Sequence, residues 1–183
     1  MFLYYAPIPI RPQVKNIFVS FGGDDLLDYT QRMLSLITIP EYAEFDFHIL
    51  LGVEYPNKQA CFDLTKKHSN LHVYDTVSDI AGLMSKCDIA IASIGRTCYE
   101  LAILGLPVIA VSQQTDGVVN TFFSCENGYV YLGVNPSSAM LRCVLETFLH
   151  SSQSERQRYQ NMLLRHDLRK GRIRIINAIK NLI

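Results

Sequence analysis

CDIAIASIGRTCYELAILGLPVIAV, residues 87–111, contains the pattern that decides the fold. DIAIAS at 88–93 is an apolar run of strand length, and a glycine follows almost directly at position 95. Helical spacing then predicts a helix over 97–104 that ends at Gly105, and Pro107–Val111 is the next apolar run. A strand, a glycine turn, a helix and a second strand in this order are typical of a parallel sheet.

The same alternation continues in both directions along the chain. Further strands are predicted at Asn16–Phe21, Phe45–Leu51, Leu71–Tyr74 and Tyr129–Leu132. Further helices are predicted at Asp25–Ile37, Asn57–Lys67, Asp79–Lys86, Gly117–Cys125, Ser154–Arg165 and Gly171–Leu182, and another runs from Ser137 or Ser138 to His150. This order predicts the α/β class: a Rossmann-like, three-layer α/β/α domain with a mostly parallel sheet. We assign residues 15–183 to this domain and residues 1–14, which contain three prolines, to an extended leader.

Composition excludes several classes of function. The 183 residues are 49% hydrophobic and 19% charged, so the chain can bury a core and is not disordered. Its 17 basic and 17 acidic residues cancel, which gives no support for a nucleic-acid partner. No apolar run approaches the roughly 18 residues of a membrane span, so stable membrane insertion is not expected. Five cysteines without a CxxC pair and five histidines without ligand spacing predict no disulfide framework, no metal site and a cytoplasmic location.

The first loop that could carry chemistry is FVSFGGDD, residues 18–25. Ligands of such sheets bind beyond the carboxyl ends of the strands, which is where Gly22 and Gly23 fall. Two glycines allow a sharp turn and a close approach to a ligand, and the free N–H groups of the following helix attract an anion. The alternative interpretation is a tight turn in which Asp24 or Asp25 is an N-cap.

The second loop runs from Ser93 to Glu100 and leads a strand through Gly95 directly into a helix. The N-terminus of that helix suits a diphosphate. Glu100 lies one turn further on, where its carboxylate can accept both hydroxyls of a ribose. The alternative is that Glu100 only helps to cap its helix.

Together, residues 18–25 and 87–111 resemble the C-terminal, donor-binding half of GT-B-type nucleotide-sugar enzymes. The resemblance is to UDP-sugar hydrolases of pseudaminic acid biosynthesis and to spore-coat polysaccharide biosynthesis proteins, and it spans nearly the whole chain. It implies a UDP-sugar or related nucleotide-sugar as ligand, with no cofactor and no metal. The residues that it places at the ligand are Gly22, Gly23, Gly95 and Thr97 at the diphosphate, Glu100 at the ribose and Val77 beside the base.

The chain departs from the family pattern at several positions, among them Ile94 in place of a glycine and Thr115-Asp116 in place of asparagine-glutamine. At two further positions the family usually has serine. Asp24 adds a negative charge beside the proposed diphosphate, and Arg96 adds a positive one. Both fall on the converging loops and are therefore included among the candidate ligand-binding residues. We expect Asp24 and Arg96 to form an ion pair across the empty site.

The family closes two Rossmann-like halves around its substrate, and its activating histidine belongs to the N-terminal half. Tyr5-Ala6-Pro7 resembles the interdomain linker, so we expect a missing N-terminal half, in cis or as a separate subunit, and assign no catalytic residue. The implied function is the nucleotide-sugar-binding half of a hydrolase or glycosyltransferase in cell-surface polysaccharide biosynthesis. The alternative is a noncatalytic interaction or scaffold domain with a degenerate nucleotide site. A nicotinamide enzyme is disfavoured because no GxGxxG follows the first strand.

The last predicted helix is amphipathic and basic. Its isoleucines recur on one side of the helix, and its arginines and lysines are spread from Arg165 to Lys180. Such a helix could lie on a membrane surface. We expect instead that its apolar side packs on the domain.

Overall fold

A sheet of six parallel strands forms the centre of the computed structural model, which describes residues 2–114 and 121–182. The strands are β1 (Asn16–Ser20), β2 (Asp46–Leu50), β3 (Leu71–Tyr74), β4 (Ile89–Ser93), β5 (Val108–Ser112) and β6 (Tyr129–Val134). Their order is β3-β2-β1-β4-β5-β6, and each neighbouring pair is parallel. The Rossmann-like α/β prediction is thus confirmed. The direction of winding reverses between β1 and β4, which is where such sheets bind ligands.

Helices cover both faces of this sheet. They are α1 (Tyr29–Ile37), α2 (Lys58–Thr65), α3 (Ile80–Met84), α4 (Arg96–Leu104), α5 (Ser138–Leu149), α6 (Gln153–Leu164) and α7 (Gly171–Lys180). Successive residues of a strand face opposite sides, so Ile17 and Val19 join the core beneath α1 and α5, while Phe18 joins the core beneath α4. Both faces of β1 and β4 are buried, as the apolar runs predict.

Helix α1 begins four residues later than the sequence predicts. Asp25 adopts a left-handed conformation with φ of 46° and is 4% exposed. Its carboxylate accepts the N–H groups of Tyr29 at 3.0 Å and Thr30 at 2.7 Å. Asp25 therefore binds the first N–H groups of the helix from the preceding turn, although the N-cap residue itself is Asp28 and neither Asp24 nor Asp25.

The predicted helix Gly117–Cys125 is wrong for residues 121–125, where the structure has no α-helix. Residues 117–120 lie outside the described residues, 121–124 form turns and bends, and Cys125–Asn127 is a short 3-10 helix.

The leader, which starts with a short 3-10 helix at Phe2–Tyr4, contacts the domain at several points. Ile8 donates its N–H to the carbonyl oxygen of Leu104 at 2.9 Å. Arg11 forms an ion pair of 2.7 Å with Asp88, which is 3% exposed and also accepts the N–H groups of Lys15 and Asn16, both at 2.8 Å. The leader thus reaches β1 by way of a buried carboxylate at the amino end of the sheet.

Helix α7 does not pack as predicted. None of its residues is buried, and Ile175, Ile176 and Ile179 are 64%, 41% and 53% exposed. The preceding helices already cover the sheet, and α7 contacts the 3-10 helix Leu168–Lys170. In residues 2–114 and 121–182, no helix combines the length and apolar character that crossing a bilayer requires.

Two histidines stack at the β2–β3 edge of the sheet. The ring centroids of His48 and His72 are 4.7 Å apart with an interplanar angle of 19°. His48 Nε2 donates to Asn16 Oδ1 at 3.1 Å, and Nδ1 accepts from the Tyr74 hydroxyl at 3.2 Å. Burial, and then the nearby His72, lower the pKa of His48 because both disfavour its charged form.

We therefore expect acid to destabilise the fold through His48. A histidine with a lowered folded-state pKa binds fewer protons than it does in the unfolded chain. The contribution of His48 to the free energy of unfolding is complete above its pKa in the unfolded chain, about 6.5. It is lost as the pH falls through the lower pKa that His48 has in the folded protein. Urea unfolding between about pH 8 and pH 5 should show a smaller pH dependence in His48→Gln than in His68→Gln, a histidine outside this stack. Equal pH profiles in the two variants would contradict the assignment.

Candidate functional site

Two neighbouring clefts open at the carboxyl edge of the sheet, where its winding reverses. The larger cleft has a volume of about 560 Å³ and the smaller about 420 Å³. Both are lined by Gly22 from the loop after β1 and by Ser93, Ile94 and Gly95 from the end of β4 and the loop after it. The two glycine loops therefore lie side by side and form the boundary that the clefts share.

The structure brings most of the candidate residues together. The larger cleft is lined by Gly22, Gly23, Val77, Gly95, Arg96 and Thr97. Asp24 lines the smaller cleft. Glu100 is half-buried on α4 and is not among the residues that line either cleft.

At Gly95 the backbone of the second loop is not covered by neighbouring atoms. Its φ of +149° is one that residues with side chains rarely adopt, and an added Cβ would meet nothing within 4 Å. Helix α4 starts at Arg96, so its first N–H groups have no partners within the helix. These donors and the positive end of the helix dipole favour an anion beside Gly95.

Gly52 lies two residues after the end of β2, and its backbone packs against the first loop. A Cβ at this position would lie 2.1 Å from the carbonyl oxygen of Gly23 and 2.2 Å from that of Gly22. The next turn continues the contact, because Glu54 donates its N–H to the Gly23 carbonyl oxygen at 2.9 Å. The sequence contains the signal for this role, a glycine just after a strand, but the pattern indicates only that the strand ends.

Gln113 fixes the first loop from the side of β5. Its side-chain amide group donates to the carbonyl oxygen of Phe21 and, at 3.1 Å, to Asp25 Oδ1. Its side-chain oxygen accepts the N–H of Leu27 at 3.0 Å. All three contacts are to the loop after β1, so Gln113 positions the turn that lines both clefts. A single glutamine after a strand gives no sequence signal for this.

The predicted ion pair between Asp24 and Arg96 is wrong. Both residues lie in the described part of the chain, and no ion pair within 4.0 Å joins them. They line different clefts, because α4 carries Arg96 to the larger cleft while the first loop carries Asp24 to the smaller one. The charge of Arg96 acts on Glu100, one turn along α4. Burial raises the pKa of Glu100, and Arg96 opposes that increase.

We expect Gly52→Ala to destabilise the protein by about 1–3 kcal/mol, because its methyl group meets backbone oxygens that must move away. The matched control is Gly171→Ala at the start of α7, where an added Cβ meets nothing within 4 Å. Urea unfolding of both variants measures the difference. A Gly52→Ala protein as stable as the control would show that the Gly22–Gly23 turn does not depend on this contact.

Comparison with curated proteins finds relatives that match part of the chain. No family model matches it. The chain is 29% identical over 105 residues to the protein MJ1062 of Methanocaldococcus jannaschii, and 26% identical over 105 residues to the spore coat polysaccharide biosynthesis protein SpsG of Bacillus subtilis. These matches cover 56% and 57% of the chain but only 22% and 31% of the relatives.

Solved glycosyltransferases share the fold. WaaG, a glycosyltransferase of lipopolysaccharide biosynthesis, superposes with a TM-score of 0.63 at 18% identity over 84% of this chain and 42% of its own. The pneumococcal O-GlcNAc transferase GtfA, solved with UDP and GlcNAc, gives a TM-score of 0.55 at 13% identity over 95% of this chain and 38% of its own. The chain therefore shares the fold of a part of these glycosyltransferases, as the resemblance to GT-B-type enzymes implies.

Proposed function

We propose that the chain is the nucleotide-sugar-binding half of a GT-B-type hydrolase or glycosyltransferase of polysaccharide biosynthesis, with a UDP-sugar as its ligand. The observation that carries this proposal is the shared boundary of the two clefts, where Gly22 and the Gly95 turn at the start of α4 meet. The names of two similar proteins agree with it: SpsG belongs to polysaccharide biosynthesis, and GtfA was solved with UDP and GlcNAc.

The diphosphate would bind at that boundary. Backbone N–H groups around Gly22, Gly23 and Thr97 would donate to its oxygens, and Arg96 would pair with its charge. Such donors stabilise the nucleoside diphosphate as it leaves the sugar, because negative charge develops on the diphosphate when the bond between sugar and phosphate breaks. The chain's own contribution to the reaction is therefore to hold and stabilise the leaving group.

The two clefts would separate the ends of the ligand. The nucleoside would enter the larger cleft, where Val77 lines the wall, with Glu100 accepting ribose hydroxyls after a movement of its side chain. The sugar would enter the smaller cleft, where Asp24 offers a carboxylate to its hydroxyl groups. With Arg96 on the other cleft, Asp24 remains available for this role.

We further propose that a second half completes the enzyme. The chain spans 42% of WaaG and 38% of GtfA, so each of these proteins has a large part with no counterpart here. An apolar surface on the chain is suited to such a contact: Ile173, Ile175, Ile176, Ile179 and Leu182 are all exposed in the α7 region. In this view residues 15–183 form the domain and residues 1–14 the leader to the second half, and a cytoplasmic location remains a prediction.

Calorimetry with UDP, CMP and NADH tests the ligand. We expect UDP to bind and Arg96→Gln to weaken its binding about fivefold, which corresponds to roughly 1 kcal/mol, with a larger loss at low salt. Arg172→Gln, which removes a cation from exposed α7, is the control and should bind UDP normally. Failure of all three nucleotides to bind would favour the scaffold alternative, and a preference for NADH would favour a nicotinamide enzyme.

The chain alone should not turn over a UDP-sugar. No histidine lines either cleft within residues 2–114 and 121–182, and the proposal places the activating base on the second half. Incubation with UDP-GlcNAc should release no UDP above background from a preparation that calorimetry shows to bind UDP. A rate typical of complete enzymes, about 1 per second or more, would contradict the need for a second half.

A further inference from the structure

The leader contacts the wall of the larger cleft through one side chain. The hydroxyl group of Tyr5 donates a hydrogen bond to Asp79 Oδ2. The other carboxylate oxygen of Asp79 accepts the N–H of Gly82 at 2.9 Å, which makes Asp79 the N-cap of α3. One carboxylate therefore joins the leader to the first turn of α3.

That turn forms part of the cleft. Val77 and Ile80, on either side of Asp79 in the sequence, both line the larger cleft. Helix α3 has only five residues, so its position depends strongly on its cap. A displacement of Asp79 would therefore move the wall against which the nucleoside is proposed to bind.

The contact lies at the surface, since Asp79 is exposed. Tyr5, Val77, Asp79 and Gly82 line an open groove of about 600 Å³. A Cβ at Gly82 would lie 3.1 Å from the Tyr5 hydroxyl oxygen, so there is little free space between leader and helix at this point. Three residues later the leader is fixed again, by the hydrogen bond from Ile8 to Leu104.

We propose that Tyr5 is a positioning residue for the nucleoside: by its bond to Asp79 it sets the position of Val77 and Ile80, and so couples the leader to the nucleoside end of the cleft. The inference rests on the proposed function, because it assumes that a nucleotide binds there. It extends that function by giving the leader a part in ligand binding. It also means that a movement of the leader, such as one imposed by a second half, would change nucleotide affinity.

The test compares two ligands and two tyrosines. Tyr5→Phe removes the hydroxyl group and keeps the ring, and Tyr4→Phe is the matched control, since Tyr4 is the neighbouring residue and is 92% exposed. Calorimetry should show UDP binding about threefold or more weaker in Tyr5→Phe and unchanged in Tyr4→Phe. Inorganic pyrophosphate, which lacks a nucleoside, should bind both variants as it binds the unaltered chain.

Each other outcome has a distinct meaning. Normal UDP binding by Tyr5→Phe would overturn the positioning role while leaving the proposed function intact. An equal loss of UDP and pyrophosphate affinity would overturn it too, because a general loosening of the fold, and not the nucleoside wall, would then be the cause. No UDP binding by the unaltered chain would contradict the proposed function itself, and the positioning role with it.

Discussion

The site depends on the close approach of backbones at the carboxyl edge of the sheet. The carbonyl oxygens of Gly22 and Gly23 occupy the space that a side chain at position 52 would need. On the other side, a Cβ at Gly22 would lie 3.3 Å from the Ser93 hydroxyl oxygen. Loops from three neighbouring strands, β2, β1 and β4, are thus in contact through main chain and small side chains. This brings backbone amide groups to the boundary of the two clefts, where Ser93 and Ile94 also lie.

Buried carboxylates fix both ends of the central strand. Asp88 accepts two N–H groups at the start of β1, and Asp25 accepts two from α1 just beyond its end. A buried carboxylate without such donors would be strongly destabilising, so each one specifies the local backbone path. The apolar residues between them provide the burial, and the polar groups at the ends determine where the loops begin. Gln113 adds a further restraint at the end that carries the site.

The regular elements could be predicted because their cause is local. Apolar runs of strand length gave the six strands to within about two residues, and helical spacing gave α4, α5 and α6. The start of α1 could not be predicted, since it depends on a left-handed Asp25, and that conformation is usually signalled by glycine. The separation of Asp24 from Arg96 and the exposure of α7 depend on how distant elements are arranged, which a sequence pattern does not contain. The roles of Gly52 and Gln113 could not be predicted for the same reason, since each depends on contacts with a distant loop.

The contact at Gly52 has a consequence for recognising this architecture elsewhere. The first turn can adopt its conformation only because residue 52, thirty positions after Gly22, has no β-carbon. In any protein whose loops approach as closely, this position is restricted to glycine whatever the chemistry of the ligand. A glycine placed just after the second strand, together with a glycine pair just after the first, is therefore a geometric signature that can be sought in sequences too divergent to align.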